Sequence, residues 1–98
     1  MIKKRFSKTG HSCRVTFELP SEVRANSVSL CGDFNEWSRE THVMKPRKDG
    51  TFSATLSLEA GRPYRFRYLL DGARWENDWS ADAYVPNDFG TEDSLVNI

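Results

Sequence analysis

The sequence has no net charge and few side chains suited to metal or redox chemistry. Its 98 residues contain 14 Lys and Arg, 14 Asp and Glu, two histidines and two cysteines. The zero balance offers none of the basic excess that attracts nucleic acid or anionic lipid. Cys13 and Cys31 fall in separate predicted strands without clustered histidines, which favours two buried thiols over a disulfide or a zinc site. We therefore expect no metal, no cofactor, and neither a nucleic-acid nor a membrane partner.

Long apolar runs and catalytic motifs are also missing. No apolar stretch follows the basic start MIKKRFSKTG, so neither a secretory signal nor a transmembrane helix is indicated, and we expect a cytoplasmic location. The chain has no G-x-S-x-G motif and no phosphate-binding glycine loop. Its acids form no recognisable pair for glycoside hydrolysis, which needs two carboxyl groups across the scissile bond. The sequence therefore predicts a chain that is not an enzyme.

What the sequence does contain is period-two alternation, which is typical of strands with one face in a core. Apolar residues alternate in CRVTFEL, in Thr51 to Leu58 and most clearly in RPYRFRYLL, while NSVSLCG, His42 to Lys45, ARWEN and TEDSLVNI indicate shorter strands. We expect Leu95, with Val96 or Ile98, to be buried in the last strand, and DWSADAYVPNDFG to be a polar loop. The pattern predicts an all-β, immunoglobulin-like sandwich of about six to eight short antiparallel strands. Residues 11–98 would form one domain, with residues 1–10 mobile.

Three tryptophans are informative because all lie in turn-rich or polar surroundings: Trp37, Trp75 and Trp79. A partly exposed indole can stack on the apolar face of a pyranose ring while neighbouring polar groups bond its hydroxyls. Alternatively, a loop aromatic folds back as a lid on a small core. The sequence supports the two interpretations equally for Trp37 and Trp75, and it favours the lid for Trp79.

Three segments together resemble a known family. VSLCGDFNEW (28–37), YRFRYLLDGARW (64–75) and the closing NDFGTEDSLV (87–96) are similar to the glycogen-binding carbohydrate-binding modules of family 48. Such modules occur in the β subunit of AMP-activated protein kinase and beside the catalytic domains of isoamylases and glycogen branching enzymes. The resemblance extends over most of the chain. It implies an early-set sandwich that binds α-1,4-linked glucans, such as glycogen, starch or maltooligosaccharides, without catalysis.

The resemblance also implies a carbohydrate-binding site made of Trp37, Arg67, Trp75, Phe89, Thr91 and Asp93. The two tryptophans match the sugar-stacking positions, and Thr91 matches a hydroxyl contact. Arg67 replaces a family lysine, which keeps the charge and changes the donor geometry. Phe89 replaces a leucine that passes beside the glucan. Asp93 replaces an asparagine, and its carboxylate can accept but not donate hydrogen bonds.

Two other functions stay open at this point. One is a structural early-set domain that binds no sugar and docks onto a glucan-active enzyme or onto itself, with its aromatics covered by that partner. The other is a small hydrolase that uses Glu76 or Asp78. In the carbohydrate-binding interpretation the partner is an α-glucan, and a glucan-active enzyme or self-association is compatible with it.

Overall fold

The computed structural model describes residues 2–98, which form two antiparallel sheets packed face to face. The strands are β1 Ile2–Phe6, β2 Ser12–Leu19, β3 Val28–Gly32, β4 Lys45–Pro46, β5 Phe52–Glu59, β6 Pro63–Leu70, β7 Arg74–Glu76, β8 Ala83–Pro86 and β9 Glu92–Asn97, with one 3-10 turn at Asp33–Asn35. The predicted all-β sandwich is confirmed, with nine strands where six to eight were expected.

The first sheet has the strand order β1-β2-β5-β4, and the second has β3-β6-β9-β8, with β7 also paired to β6. Strand β6 is the centre of the second sheet. Its whole second half pairs with β3 on one side. On the other side, its first half pairs with β9 and its second half with β7. Strands β7 and β9 therefore lie on the same side of β6, one after the other along its length.

The core lies between the sheets and follows the predicted alternation. The inward side chains of β2 and β6 are almost fully buried: Cys13, Val15, Phe17 and Leu19 from β2, and Tyr64, Phe66, Tyr68 and Leu70 from β6. Phe17 and Phe66 meet edge to face with ring centroids 5.0 Å apart. Burial of each phenylalanine contributes about 1.5–3 kcal/mol. Because the alternate residues must then point outwards, Arg65 and Arg67 are placed on the outer face of the second sheet.

The N-terminal segment contains the edge strand β1, which the sequence pattern did not indicate because IKKRF is charged on both faces. Ile2–Phe6 pairs with Phe17–Cys13 of β2. Lys4 also reaches across the sandwich, where its Nζ donates to Asp82 Oδ2 at 2.7 Å. Met1 lies outside the described residues.

Two predictions for the C-terminal region are wrong in detail. The expected polar loop contains strand β8, which pairs with β9, and its residues alternate only between half-buried and exposed. In β9 the inward residues are Ser94 and Val96, so Leu95 is half-buried on the outer face. The hydroxyl at Ser94 hides the period of this strand because a polar side chain occupies a core position.

Glu18, on β2, links the two edges of the first sheet through ion pairs with Lys3 of β1 and with Arg47, which directly follows β4. Its carboxylate accepts a hydrogen bond from Arg47 at 2.6 Å and forms an ion pair with Lys3 at 3.2 Å. The hydrogen bond from Arg47 lowers the pKa of the Glu18 carboxyl, against the opposing effect of burial. The ionised carboxylate therefore stabilises the folded sheet.

Both cysteines are buried free thiols, as expected. Cys31 lies opposite Arg67 in the β3–β6 register, and burial raises the pKa of its thiol. Residues 2–98 include no helix that is long and apolar enough to cross a membrane.

Candidate functional site

A groove of about 900 Å³ runs across the outer face of the second sheet. It is lined by outward side chains of β6, β7 and β9 and by the loops that follow β3 and β8. All six predicted site residues line it, together with five that the sequence did not single out: Arg39, Arg65, Pro86, Asn87 and Asp88.

The turn after β3 begins at a glycine that allows no side chain. A Cβ at Gly32 would lie 2.5 Å from the Arg65 carbonyl oxygen and 2.8 Å from the Phe66 Cβ. Both neighbours belong to the central strand β6 and cannot move aside cheaply. Gly32 therefore lets the turn pack directly on the strand that carries the groove arginines.

Asn35 then fixes the shape of this turn. Its Oδ1 accepts from the Gly32 N–H at 3.1 Å, and its Nδ2 donates to the Leu30 carbonyl at 2.8 Å. The next two residues, Glu36 and Trp37, both have positive φ, at 55° and 59°. Non-glycine residues adopt this conformation only where surrounding contacts impose it. The turn thereby directs the Trp37 side chain into the groove.

Asp33 holds the Trp37 ring. The indole Nε1–H donates to Asp33 Oδ1 at 3.1 Å, and the other carboxylate oxygen accepts from the Arg65 N–H at 2.9 Å. One carboxylate thus joins the ring to strand β6. Sequence reasoning missed this role, although an aspartate four residues before a loop tryptophan could have indicated it.

Trp37 and Trp75 meet in the groove at an angle. Their ring centroids are 6.4 Å apart and their planes differ by 67°. Trp37 is half-buried and Trp75 is 37% exposed, so neither ring is a closed lid on the core. The Cζ atoms of Arg39 and Arg67 lie 5.8 and 5.9 Å from the Trp75 ring centre. At these distances the guanidinium groups are attracted by the ring quadrupole and help to hold it.

Asn87 organises the opposite rim of the groove. Its Oδ1 accepts hydrogen bonds from the Phe89 N–H, the Thr91 N–H and the Thr91 hydroxyl at 3.0 to 3.2 Å. These bonds close a tight turn at whose tip Phe89 is 89% exposed. The Asn-Asp-x-Gly sequence is a turn signal, but the sequence pattern alone did not show that the turn faces Trp75.

Asp93 lies beneath this rim and is only 6% exposed. Its Oδ1 accepts from Asn87 Nδ2 at 2.9 Å, and its Oδ2 pairs with Arg65 at 3.4 Å. Both carboxylate oxygens therefore hold protein groups. The geometry indicates that Asp93 supports the Asn87 turn and Arg65 more than it faces a ligand.

Arg67 retains hydrogen-bonding capacity. Its contact with the Thr91 hydroxyl is long, at 3.5 Å. Within residues 2–98, its Nε is the one buried side-chain polar atom that has no hydrogen-bond partner. An unpaired buried donor costs about 1–3 kcal/mol. Because that Nε is buried, a ligand in the groove would meet Arg67 at the guanidinium end instead, where Nη1 has only the long contact with Thr91.

Trp79 lies apart from the groove and is not the predicted lid, since it is 55% exposed. Its Nε1–H donates to Glu76 Oε2 at 3.1 Å.

The two acids of the hydrolase alternative are Glu76 and Asp78. Asp78 is buried and accepts a hydrogen bond from the Tyr68 hydroxyl at 2.6 Å. Burial, and then the Asp78 charge, raise the pKa of the Tyr68 hydroxyl. Neither Glu76 nor Asp78 lines the groove, so the geometry does not favour the hydrolase alternative. No group of three His, Cys, Asp or Glu side chains in residues 2–98 is arranged to hold a metal ion.

Comparisons with known proteins identify the family of the chain. The family model described as carbohydrate-binding module 48 (isoamylase N-terminal domain) matches residues 8–85. The 1,4-alpha-glucan branching enzyme of Mesorhizobium japonicum is 40% identical over 53 residues, which are 51% of this chain and 7% of that enzyme. The chain thus matches a small part of a much longer relative. The family match includes Trp37, Arg67 and Trp75 and ends before Phe89.

Proposed function

The chain belongs to the carbohydrate-binding module 48 family, and on this basis we propose that its groove binds α-1,4-linked glucans without catalysing a reaction on them. Glycogen, starch chains and maltooligosaccharides are the expected ligands. The observation that carries the proposal is the pair of angled, partly exposed rings of Trp37 and Trp75 in one groove.

The angle between the two rings favours an α-linked chain. An indole stacks on the apolar C–H face of a pyranose. Successive glucose units turn in an α-1,4 chain, which follows a helix, whereas a β-1,4 chain is a flat ribbon. Rings inclined by 67° match faces that turn along the chain. Phe89, at the other rim, adds an apolar surface beyond this pair.

Polar side chains around the rings supply partners for sugar hydroxyls. Arg67 lines the groove, and its Nη1 has only a long contact with the Thr91 hydroxyl. That hydroxyl donates to Asn87 and has a further lone pair that can accept from a sugar hydroxyl. Two stacking rings contribute roughly 1.5 kcal/mol each if each removes about 60 Å² from water. With a few hydroxyl bonds of about 1 kcal/mol, and with the entropy of ordering the chain opposing them, the expected Kd lies between about 1 mM and tens of micromolar.

The acids of the groove support binding over hydrolysis. Its lining contains two carboxyl groups, Asp88 and Asp93, and Asp93 is engaged by Asn87 and Arg65. Only Asp88 is left to act on a sugar, whereas glycoside hydrolysis ordinarily uses two carboxyl groups.

Weak binding is effective when the module is tethered. The match to the branching enzyme covers 7% of that enzyme's length. We infer that this module acts next to a glucan-active enzyme, which is either part of the same chain or a separate partner. Tethering raises the effective concentration of glucan at that enzyme. A cytoplasmic location stays a prediction.

Retention on glycogen tests the proposal. We expect Trp37→Ala and Trp75→Ala to lose most of their retardation in a native gel containing glycogen. The matched control is Phe6→Ala, which removes a 52% exposed aromatic from β1 and should migrate as the unchanged protein does. Equal retardation of all variants would refute the groove. Absence of retardation in the unchanged protein would favour a docking domain without sugar binding.

A further inference from the structure

We propose that Trp79 and Glu76 form a second subsite, which binds one pyranose ring of a second α-glucan chain. The proposal rests on the proposed function for the identity of the sugar. Its geometry is independent of the groove, because neither residue lines it.

The subsite repeats an arrangement found in the groove. Glu76 Oε2 accepts from the Trp79 indole Nε1–H at 3.1 Å, as Asp33 Oδ1 does from Trp37 at the same distance. In both cases a carboxylate holds the polar edge of the indole and leaves a ring face towards solvent. The second oxygen of Glu76 can accept a sugar hydroxyl beside that face.

The backbone that carries Trp79 is held firmly by its neighbour. Asp78 Oδ2 accepts the Tyr68 hydroxyl at 2.6 Å, and the Asp78 N–H donates to the Ser94 hydroxyl at 2.9 Å. The Tyr84 hydroxyl donates to the Asp78 carbonyl at 2.5 Å. An exposed ring on such a buried support is preorganised, which lowers the entropy cost of binding.

The direction of β7 separates this subsite from the groove. Trp75 lies opposite Leu69 on the outer face, whereas Glu76 lies opposite Tyr68, whose side chain enters the core. Successive side chains of a strand point to opposite faces. Trp79 is hydrogen-bonded to Glu76 and therefore lies on the side of β7 that faces away from the groove. A glucan chain bound there would be a different chain from the one in the groove.

The size of the apolar surface fits a sugar better than a protein. The residues that follow Trp79 include exposed polar Ser80 and Asp82, and the neighbouring exposed aromatic is Tyr84, whose hydroxyl bonds the Asp78 carbonyl. The apolar surface that these residues offer is one indole and part of a phenol ring. A stable protein interface needs about 800 Å² from each partner, while one indole matches one pyranose face. Two subsites on different sides would let one module join two branches of the same glucan and gain avidity.

The test follows the three indole N–H resonances separately in two-dimensional proton–nitrogen spectra during titration with maltoheptaose. We expect the Trp79 resonance to shift saturably with a Kd of roughly 1–20 mM, both in the unchanged protein and in the Trp37→Ala/Trp75→Ala double variant. Trp79→Ala should leave the maltoheptaose affinity of the groove unchanged and reduce retention on glycogen about three- to tenfold through lost avidity.

The outcomes separate this inference from the proposed function. If the groove resonances shift while that of Trp79 does not, the second subsite is refuted and the groove stands. If the Trp79 shift disappears in the double variant, the ring is an extension of the groove and the second-chain proposal is overturned. If only the Trp79 resonance shifts, the subsite stands and the groove proposal fails.

Discussion

Removal of the Trp75 ring gives a loss of glucan affinity that can be estimated from the structure. Trp75 is 37% exposed, which corresponds to about 90 Å² of a tryptophan surface of roughly 250 Å². A pyranose face that covers about two thirds of this area removes ~60 Å² from water, or about 1.5 kcal/mol. Trp75→Ala should therefore raise the Kd for maltoheptaose about 12-fold.

Isothermal titration calorimetry with maltoheptaose measures this change, and thermal unfolding verifies that the variant is folded. The core does not depend on Trp75, so we expect a cooperative transition in the variant. Phe6→Ala, on the first sheet, is the matched control and should bind as the unchanged protein does. The reasoning would be refuted if Trp75→Ala changed the Kd less than about threefold, which is ~0.65 kcal/mol, or if Phe6→Ala weakened binding equally.

Three further predictions concern the support of the groove and the stability of the sheets. Asp33→Ala removes two hydrogen bonds, from the Trp37 indole and from the Arg65 N–H. Loss of the first, worth ~1 kcal/mol, should weaken maltoheptaose binding about threefold to tenfold by calorimetry, and unchanged affinity in a folded variant would contradict this. Gly32→Ala places a methyl group against the backbone of β6 and should lower the free energy of unfolding in urea by about 1–3 kcal/mol or more. Gly72→Ala is the control for backbone strain alone, because Gly72 has open space around it and a φ of 69°. It should lower the free energy of unfolding by about 1–2 kcal/mol. The Glu18 carboxyl has a lowered pKa in the folded protein, so it stabilises the fold above its unfolded pKa of about 4.3, and this contribution is lost as the pH falls through the folded pKa. In Glu18→Gln the free energy of unfolding should therefore depend less on pH below pH ~4.5. Identical pH dependence in the two proteins would refute the role of the ion pairs with Arg47 and Lys3.

The sequence predicted the centre of the fold well because the central strand buries one complete face. Tyr64, Phe66 and Tyr68 alternate with arginines, and that alternation is visible without any structure. The edges could not be predicted in the same way. No residue of β1 or β8 is more than half-buried, and in β9 the core position at Ser94 is filled by a hydroxyl that bonds Asn77 and the Asp78 N–H.

The site was predictable where a residue is both exposed and aromatic, and less so where it acts through others. Trp37 and Trp75 are tryptophans in turns, so their type and position indicated a ligand face. Asn87 and Asp33 support that face through hydrogen bonds to residues on other elements, and such partners are brought together only by the folded sheet. For Asp93 the residue type matched the pattern, but burial beneath the rim could not be read from the sequence.

Binding to an α-linked glucan is the central claim, and tryptophan fluorescence tests it most directly because the groove contains its own reporters. Maltoheptaose and β-cyclodextrin would be titrated into the protein, with cellohexaose as the β-linked control. The account predicts a saturable change with the two α-linked ligands, with a Kd between about 1 mM and tens of micromolar, and none with cellohexaose. A protein whose emission does not respond to any of the three, or responds equally to cellohexaose, would contradict it.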